Sequence, residues 1–176
     1  MIHGTGRWLI LALSGLLALY TGAQAGLLEP APTFEVTKLV IDSGAKCLVF
    51  QVEVARTTAA RRQGLQGRQE LAADAGMLFL LEKPRTLSMW MKDTFIPLDI
   101  LFIDANGRIT EIVERTAPRS RTRISPQSPT AAVLELLGGT VRRLAIEPGD
   151  CIETPLPGAP RPPCRADYTC GEDRVR

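Results

Sequence analysis

Apolar positions along this chain recur mostly with a period of two, which is the spacing of half-buried strands. Phe34 to Ile41 and Lys46 to Val54 both alternate, and Asp42-Ser43-Gly44 between them has turn chemistry, so the pattern predicts a hairpin. In the second strand Leu48, Phe50, Val52 and Val54 form the core-facing set, opposite Cys47, Val49, Gln51 and Glu53. Thr57 to Gly64 breaks the alternation with Ala59, Ala60, Arg61 and Arg62, good helix formers between a Thr cap and a Gly stop, and predicts a two-turn helix. Met77 to Leu81 is a further apolar strand, with Glu82-Lys83-Pro84-Arg85 as a turn after it.

The densest crowding of apolar, aromatic and ionisable residues runs from Met89 to Asp104. Within it Leu98, Ile100 and Phe102 alternate with Asp99, Leu101 and Ile103, so both faces are apolar apart from one carboxylate and the strand is buried on both sides. Pro97 lacks an N–H and marks the strand's start. Asp104-Ala-Asn-Gly107 lacks the further acidic ligands of a calcium loop and reads as a hairpin turn into Arg108 to Val113. Glu114 to Pro129, with Arg115, Arg119, Arg121 and Arg123 among Pro, Ser and Thr, is a long solvated loop or a rim that attracts anions. Ala131 to Leu137 is a strand with Glu135 on its non-core side. A short helix capped by Thr140 and a last strand, Cys151 to Glu153, complete a mainly β (α+β), small barrel-like domain with a mostly antiparallel sheet and one or two short helices.

The ends of the chain have a different character. His3 and Arg7 precede an apolar run, Trp8 to Tyr20, shorter than the roughly 20 residues a membrane-spanning helix needs, and Ala23-Gln24-Ala25 fits a cleavage site. Residues 1–25 therefore read as a secretory signal peptide, 26–33 as a linker, 34–153 as the β-rich domain, and 154–176 as a Pro-rich tail holding Cys164 and Cys170. The expected location is periplasmic or secreted, with no membrane span after cleavage. Removing residues 1–25 also removes His3, the one histidine, which excludes Ser-His-Asp and Cys-His catalysis, His-ligated metals and a His general base. With Lys+Arg at 21 against Asp+Glu at 19, the charge balance argues against a nucleic-acid binder. No cofactor is implied.

Five residues are candidates for chemistry. Trp90, between Met89 and Met91, reads as core packing first and as a ligand-stacking surface second. Asp99, in a buried strand, must find backbone N–H groups near the turn after Pro97, or a cation, or keep its proton. Glu135 reads first as a structural ion pair with Arg68 or Lys92 and second as a functional acid. The four cysteines, all in the exported part, predict disulfides. Cys47 in an early strand and Cys151 in the last one would be neighbours in a barrel, giving the pairing Cys47–Cys151 and Cys164–Cys170. The alternative brings Cys164 or Cys170 back to Cys47.

The blocks Val52-Glu-Val-Ala-Arg-Thr57, Gly64-Leu65 with Gly67-Arg68, Gly76-Met-Leu-Phe79, Trp90-Met-Lys-Asp-Thr94, Pro97-Leu-Asp-Ile100, Leu134-Glu-Leu136 and Pro148-Gly-Asp150 together resemble the domain of unknown function 192 family. The resemblance covers about Val52 to Ile152. It implies a small, mostly β, barrel-like fold found in bacterial and archaeal proteins, many of them secreted, and no established activity. Gln66 stands where the family has Met, and Asp93 where it has Asn.

Three function classes are compatible with these residues. The first is an exported module binding a small molecule or peptide in a pocket near Trp90, Lys92, Asp99, Glu135 and Arg68. The second is a His-free hydrolase using Asp99 and Glu135 as an acid/base pair. The third is an envelope interaction protein acting through the Arg-rich loop or the Pro-rich tail.

Overall fold

In a computed structural model the described residues are Met1, 32–44, 46–154 and Cys170. The expected signal peptide, most of the linker and most of the Pro-rich tail lie outside them.

Strands β1 (Glu35–Asp42) and β2 (Cys47–Ala55) form the expected antiparallel hairpin, from Glu35 opposite Val54 to Asp42 opposite Cys47. The turn closes because Asp42 Oδ1 accepts the Gly44 N–H at 2.7 Å, with Gly44 at the positive φ of 76° that glycine allows. Helix α1 (Thr58–Gln63) starts where Thr57 Oγ1 accepts the Ala60 N–H at 3.0 Å and stops at Gly64, whose N–H reaches the Ala60 carbonyl at 2.9 Å. Strand β3 (Ala75–Arg85) then runs parallel to β2, because the long connection through α1 carries the chain back to the same end of the sheet.

β3 is longer than the sequence pattern predicts. Glu82 to Arg85 continue it instead of turning, and Pro84 is tolerated because the ladder to the next strand lapses between Leu80 and Arg85, where no N–H is needed. Strands β4 (Leu98–Ile103) and β5 (Ile109–Val113) form the second hairpin, its turn held by Asp104 Oδ1 accepting the N–H groups of Asn106 and Arg108. Strand β6 (Thr130–Leu137), helix α2 (Thr140–Leu144) and strand β7 (Cys151–Glu153) follow.

The seven strands lie in the order β5-β4-β6-β3-β2-β1-β7, antiparallel except at β2 and β3. This mixed sheet curls into a half-barrel far enough for its two edge strands to meet at one end. Arg108 bridges Cys151, Ile109 N–H donates to Asp150 O at 2.8 Å, and Ile152 N–H to Gly107 O at 2.8 Å.

Both sheet faces are covered in the middle, so all six residues of β4 are buried, as their unbroken apolar pattern requires. Inside the curl pack Leu39, Phe50, Val52, Leu78, Leu101 and Leu134 with their neighbours. The outer face of β3, β4 and β6, bearing Met77, Phe79, Ile100, Phe102 and Val133, is covered by α1 and by Met89, Met91 and Ile96 from the segment before β4. At the centre β3 and β6 approach so closely that a Cβ on Gly76 would stand 2.6 Å from the Glu135 carbonyl oxygen. This outer layer holds the candidate site.

Candidate functional site

Asp99 and Glu135 occupy opposite faces of the sheet. In the β4–β6 register Asp99 lies opposite Leu136, an interior residue, while Glu135 lies opposite Ile100, a residue of the outer face. The two carboxylates therefore cannot form the acid/base pair that the hydrolase reading requires.

Asp99 is fully buried, and its carboxylate accepts three backbone N–H groups. Arg115 N–H reaches Oδ1 at 2.8 Å, Gly139 N–H lies 3.0 and 2.9 Å from the two oxygens, and Val141 N–H reaches Oδ2 at 2.8 Å. It ties the start of β4 to the loop after β5 and to the first turn of α2, satisfying amides that a helix start leaves open. Backbone amides hold Asp99, but they come from Arg115, Gly139 and Val141 and not from the turn after Pro97.

Glu135 has no such partners. It is only 4% exposed, and among the described residues no hydrogen bond or ion pair engages its carboxyl. Burial alone raises its pKa from 4.5 to about 8, so at neutral pH it largely keeps its proton. The two expected partners are committed elsewhere. Arg68 places Nη2 at 2.6 Å from both carboxylate oxygens of Glu53, and Lys92 pairs with Asp93 at 3.6 Å.

The Glu135 carboxyl lines a cavity of about 80 Å³. Its walls are Leu65, Phe79, Leu87 and Met89, with Trp90 at the exposed side, Thr94, Gln66 and Ser88 as neutral polar groups, and Arg61 and Arg62 from α1. Arg61 turns its guanidinium to the carbonyl oxygens of Arg56 and, at 3.1 Å, of Leu80. Lys92, Asp99 and Arg68 do not line this space, so of the five candidates the structure brings together only Trp90 and Glu135. The contributions of α1 and of Thr94 were not read from the sequence. The signal for the former was the Gly64-Leu65-Gln66-Gly67 exit from the helix, where Leu65 is buried and Gln66 half-buried beside the cavity.

Trp90 corrects the packing expectation: it is 45% exposed. Met89 bridges Ile124 in a strand-like pairing, so Met89 and Met91 point inward and the residue between them outward. The loop after β5 is fastened beneath this segment by Thr116, whose Oγ1 accepts the Leu98 N–H at 3.1 Å and donates to the Leu98 carbonyl at 2.9 Å. Arg119 lies over the exposed Phe95 ring, 5.9 Å from its centre. Asp93 has φ 57°, and its carbonyl accepts the Gly67 N–H at 2.7 Å.

The disulfide pairing also differs from the first expectation. Cys47 is bonded to Cys170 across a Cα separation of 5.7 Å, and Cys151 is bonded to a partner outside the described residues. The reason is a register fact. β1 and β7 are neighbours, but Cys47 is on β2, and Asp42 of β1 lies between Cys47 and Cys151, opposite both. Two strand spacings are about 10 Å, beyond the reach of a disulfide.

Among the described residues no three His, Cys, Asp or Glu side chains converge to hold a metal ion, and no helix is long and apolar enough to cross a membrane.

A half-barrel with a lone buried acid in a small cavity on its outer face defines a β domain with a candidate binding site. The chain belongs to the DUF192 family, described as "Uncharacterized ACR", whose profile matches residues 39–154. It is similar to a solved structure from Sinorhizobium meliloti, described as a putative transcription regulator, at 39% identity over 70% of this chain and 96% of that one, with a TM-score of 0.68. A protein of unknown function from Novosphingobium aromaticivorans is similar at 37% identity over 71% of this chain and 89% of that one, also with a TM-score of 0.68. No curated protein matches the chain.

Proposed function

We propose that this domain binds a small molecule, or a side chain of a peptide, in the cavity between Trp90 and Glu135. The observation that carries the reading is the Glu135 carboxyl, nearly fully buried, without a partner among the described residues and facing a cavity. Burying an acid in this way costs stability, and a ligand that engages it recovers part of that cost. Trp90 supports the same reading, since a large aromatic left half in solvent beside a cavity is a surface on which a ligand can stack. The test is a thermal-shift screen of wild type and Glu135→Gln against envelope sugars, peptides, nucleotides and divalent metals. A specific ligand raises the melting temperature of wild type by mass action and that of the variant less. If no compound separates the two proteins, the binding reading fails.

The protein's place of action is part of this proposal. Residues 1–25 have the pattern of a signal peptide, and the Cys47–Cys170 bond suits an oxidising compartment, so the site works in the periplasm or outside the cell. N-terminal sequencing of the protein from cells should begin at or near Gly26. Recovery of the intact Met1 terminus would overturn export.

A further inference from the structure

Resting on that binding reading, we infer that the group accommodated in the cavity is a primary alkylammonium, inserted past Trp90 with its head on the Glu135 carboxylate.

The inference starts from the walls. Leu65, Phe79, Leu87 and Met89 form an apolar wall, with Gln66, Ser88 and Thr94 as neutral polar groups in the same lining, around a space of about 80 Å³. The apolar wall binds methylene groups well. At the inner end stands one carboxyl with no partner among the described residues. Two ligand chemistries satisfy a carboxyl there, a neutral acceptor to the protonated acid or a cation to the carboxylate. The aromatic residues favour the second, because the ring faces of Trp90 and Phe79 carry negative quadrupoles that attract an ammonium.

The charged groups around the cavity are compatible with this choice. Arg61 and Arg62 of α1 are the other ionisable residues that line it. Arg61 is bonded to the carbonyl oxygens of Arg56 and Leu80, and Arg62 is exposed. β3 and β4 contribute apolar side chains to this face, and Lys92 and Asp93 of the covering segment pair with each other outside the cavity. Burial is the one cause of the displaced Glu135 titration, so neither arginine holds the carboxylate in its charged form. A ligand cation would be its first counter-charge.

The binding step balances in protons. The free protein holds Glu135 as the acid through neutral pH. When R–NH3⁺ enters, the carboxyl O–H bond breaks, one proton passes to the buffer, and the carboxylate accepts hydrogen bonds from the ammonium. Because the free acid titrates near pH 8, affinity rises about tenfold per pH unit below that value and levels off above it, until the amine loses its own proton.

The test is titration calorimetry of the full chain with n-butylammonium chloride, and with n-butanol and butyramide as neutral counterparts, at pH 6, 7, 8 and 9. The expected result is saturable amine binding that strengthens about fiftyfold from pH 6 to pH 8, with release of close to one proton at pH 6, read from two buffers of different ionisation enthalpy. The neutral counterparts should bind at least tenfold more weakly than the amine at pH 8. Glu135→Gln should abolish the pH dependence, and Trp90→Ala should weaken the amine at every pH without changing the slope. Should Glu135→Gln fail to fold, the proton count in wild type decides alone. Neutral ligands that outbind the amine, or binding that weakens from pH 6 to 8, would show that the acid form donates to an uncharged group and would overturn the inference. If the amine does not bind while another ligand stabilises wild type over Glu135→Gln, the inference falls and the binding reading stands.

Discussion

Glu135 holds its proton at a pH where an ordinary carboxylate has lost it, and that has a cost for the fold. Its pKa is about 8 in the folded chain against 4.5 for the free group, so between these values the folded state binds more protons than the unfolded one and stability falls as pH rises. Its effect on stability is smallest below pH 4.5 and fully felt above pH 8, on the order of 5 kcal/mol if burial were complete throughout and the site did not relax. Urea denaturation at pH 5, 7 and 9 should show this decline in wild type, and Glu135→Gln should remove most of it, becoming the more stable protein at pH 9. Asp99 behaves in the opposite way on mutation. Asp99→Ala leaves the amides of Arg115, Gly139 and Val141 without their acceptor and should cost about 3 kcal/mol or more, whereas Trp90→Ala, at a half-exposed site, should cost about 1 kcal/mol or less. The same denaturation series separates them, and equal losses would mean that Trp90 packs more than its exposure indicates.

Among the elements, the contact between β3 and β6 leaves no room for an added side chain at Gly76. Gly76→Ala would drive a methyl group to 2.6 Å from the Glu135 carbonyl and 2.8 Å from Leu136 Cδ2, and should destabilise by roughly 1–3 kcal/mol while moving the backbone that carries Glu135. Denaturation gives the stability, and a shifted Glu135 titration by NMR would show that the site moved with it. The strands themselves were legible because their apolar residues alternate, and β4 was legible as doubly buried because its two faces are both apolar. The β2–β3 pairing as parallel was not, since a strand's own residues do not encode its partner's direction. The end of β3 was hidden for a similar reason: Pro84 signals a turn unless the ladder lapses beside it, and the lapse, in which residues 81–84 of β3 stand against residue 131 alone, belongs to the pairing with β6. Of the site, Glu135 was visible as a polar residue on the face away from the main core. Its isolation was not, because Arg68 and Lys92 were both plausible partners until Glu53 and Asp93 were seen to hold them. Trp90 could have been placed by extending the period of two through Met89 and Met91, which would have pointed it to solvent.

For the whole molecule, the Cys47–Cys170 bond changes how the chain transmits tension. A pull between the N-terminal side of β1 and the C-terminal end passes from Cys47 directly to Cys170, so residues 48–169 lie off the load path. The stretch that bears the force is Glu35–Cys47, which is β1 and its turn. Optical-tweezer stretching of the oxidised protein should therefore release at most roughly 45 Å of chain, at about 3.3–3.6 Å per residue, by peeling β1 from β2 and β7. Under a reducing agent the same pull should unravel the whole domain, with a release on the order of several hundred Å. Equal lengths in both conditions would place the sulfur bond elsewhere. With the bond intact, the strands that carry Glu135 and its cavity are mechanically silent, and a ligand held there would stay in place while the chain ends are drawn apart.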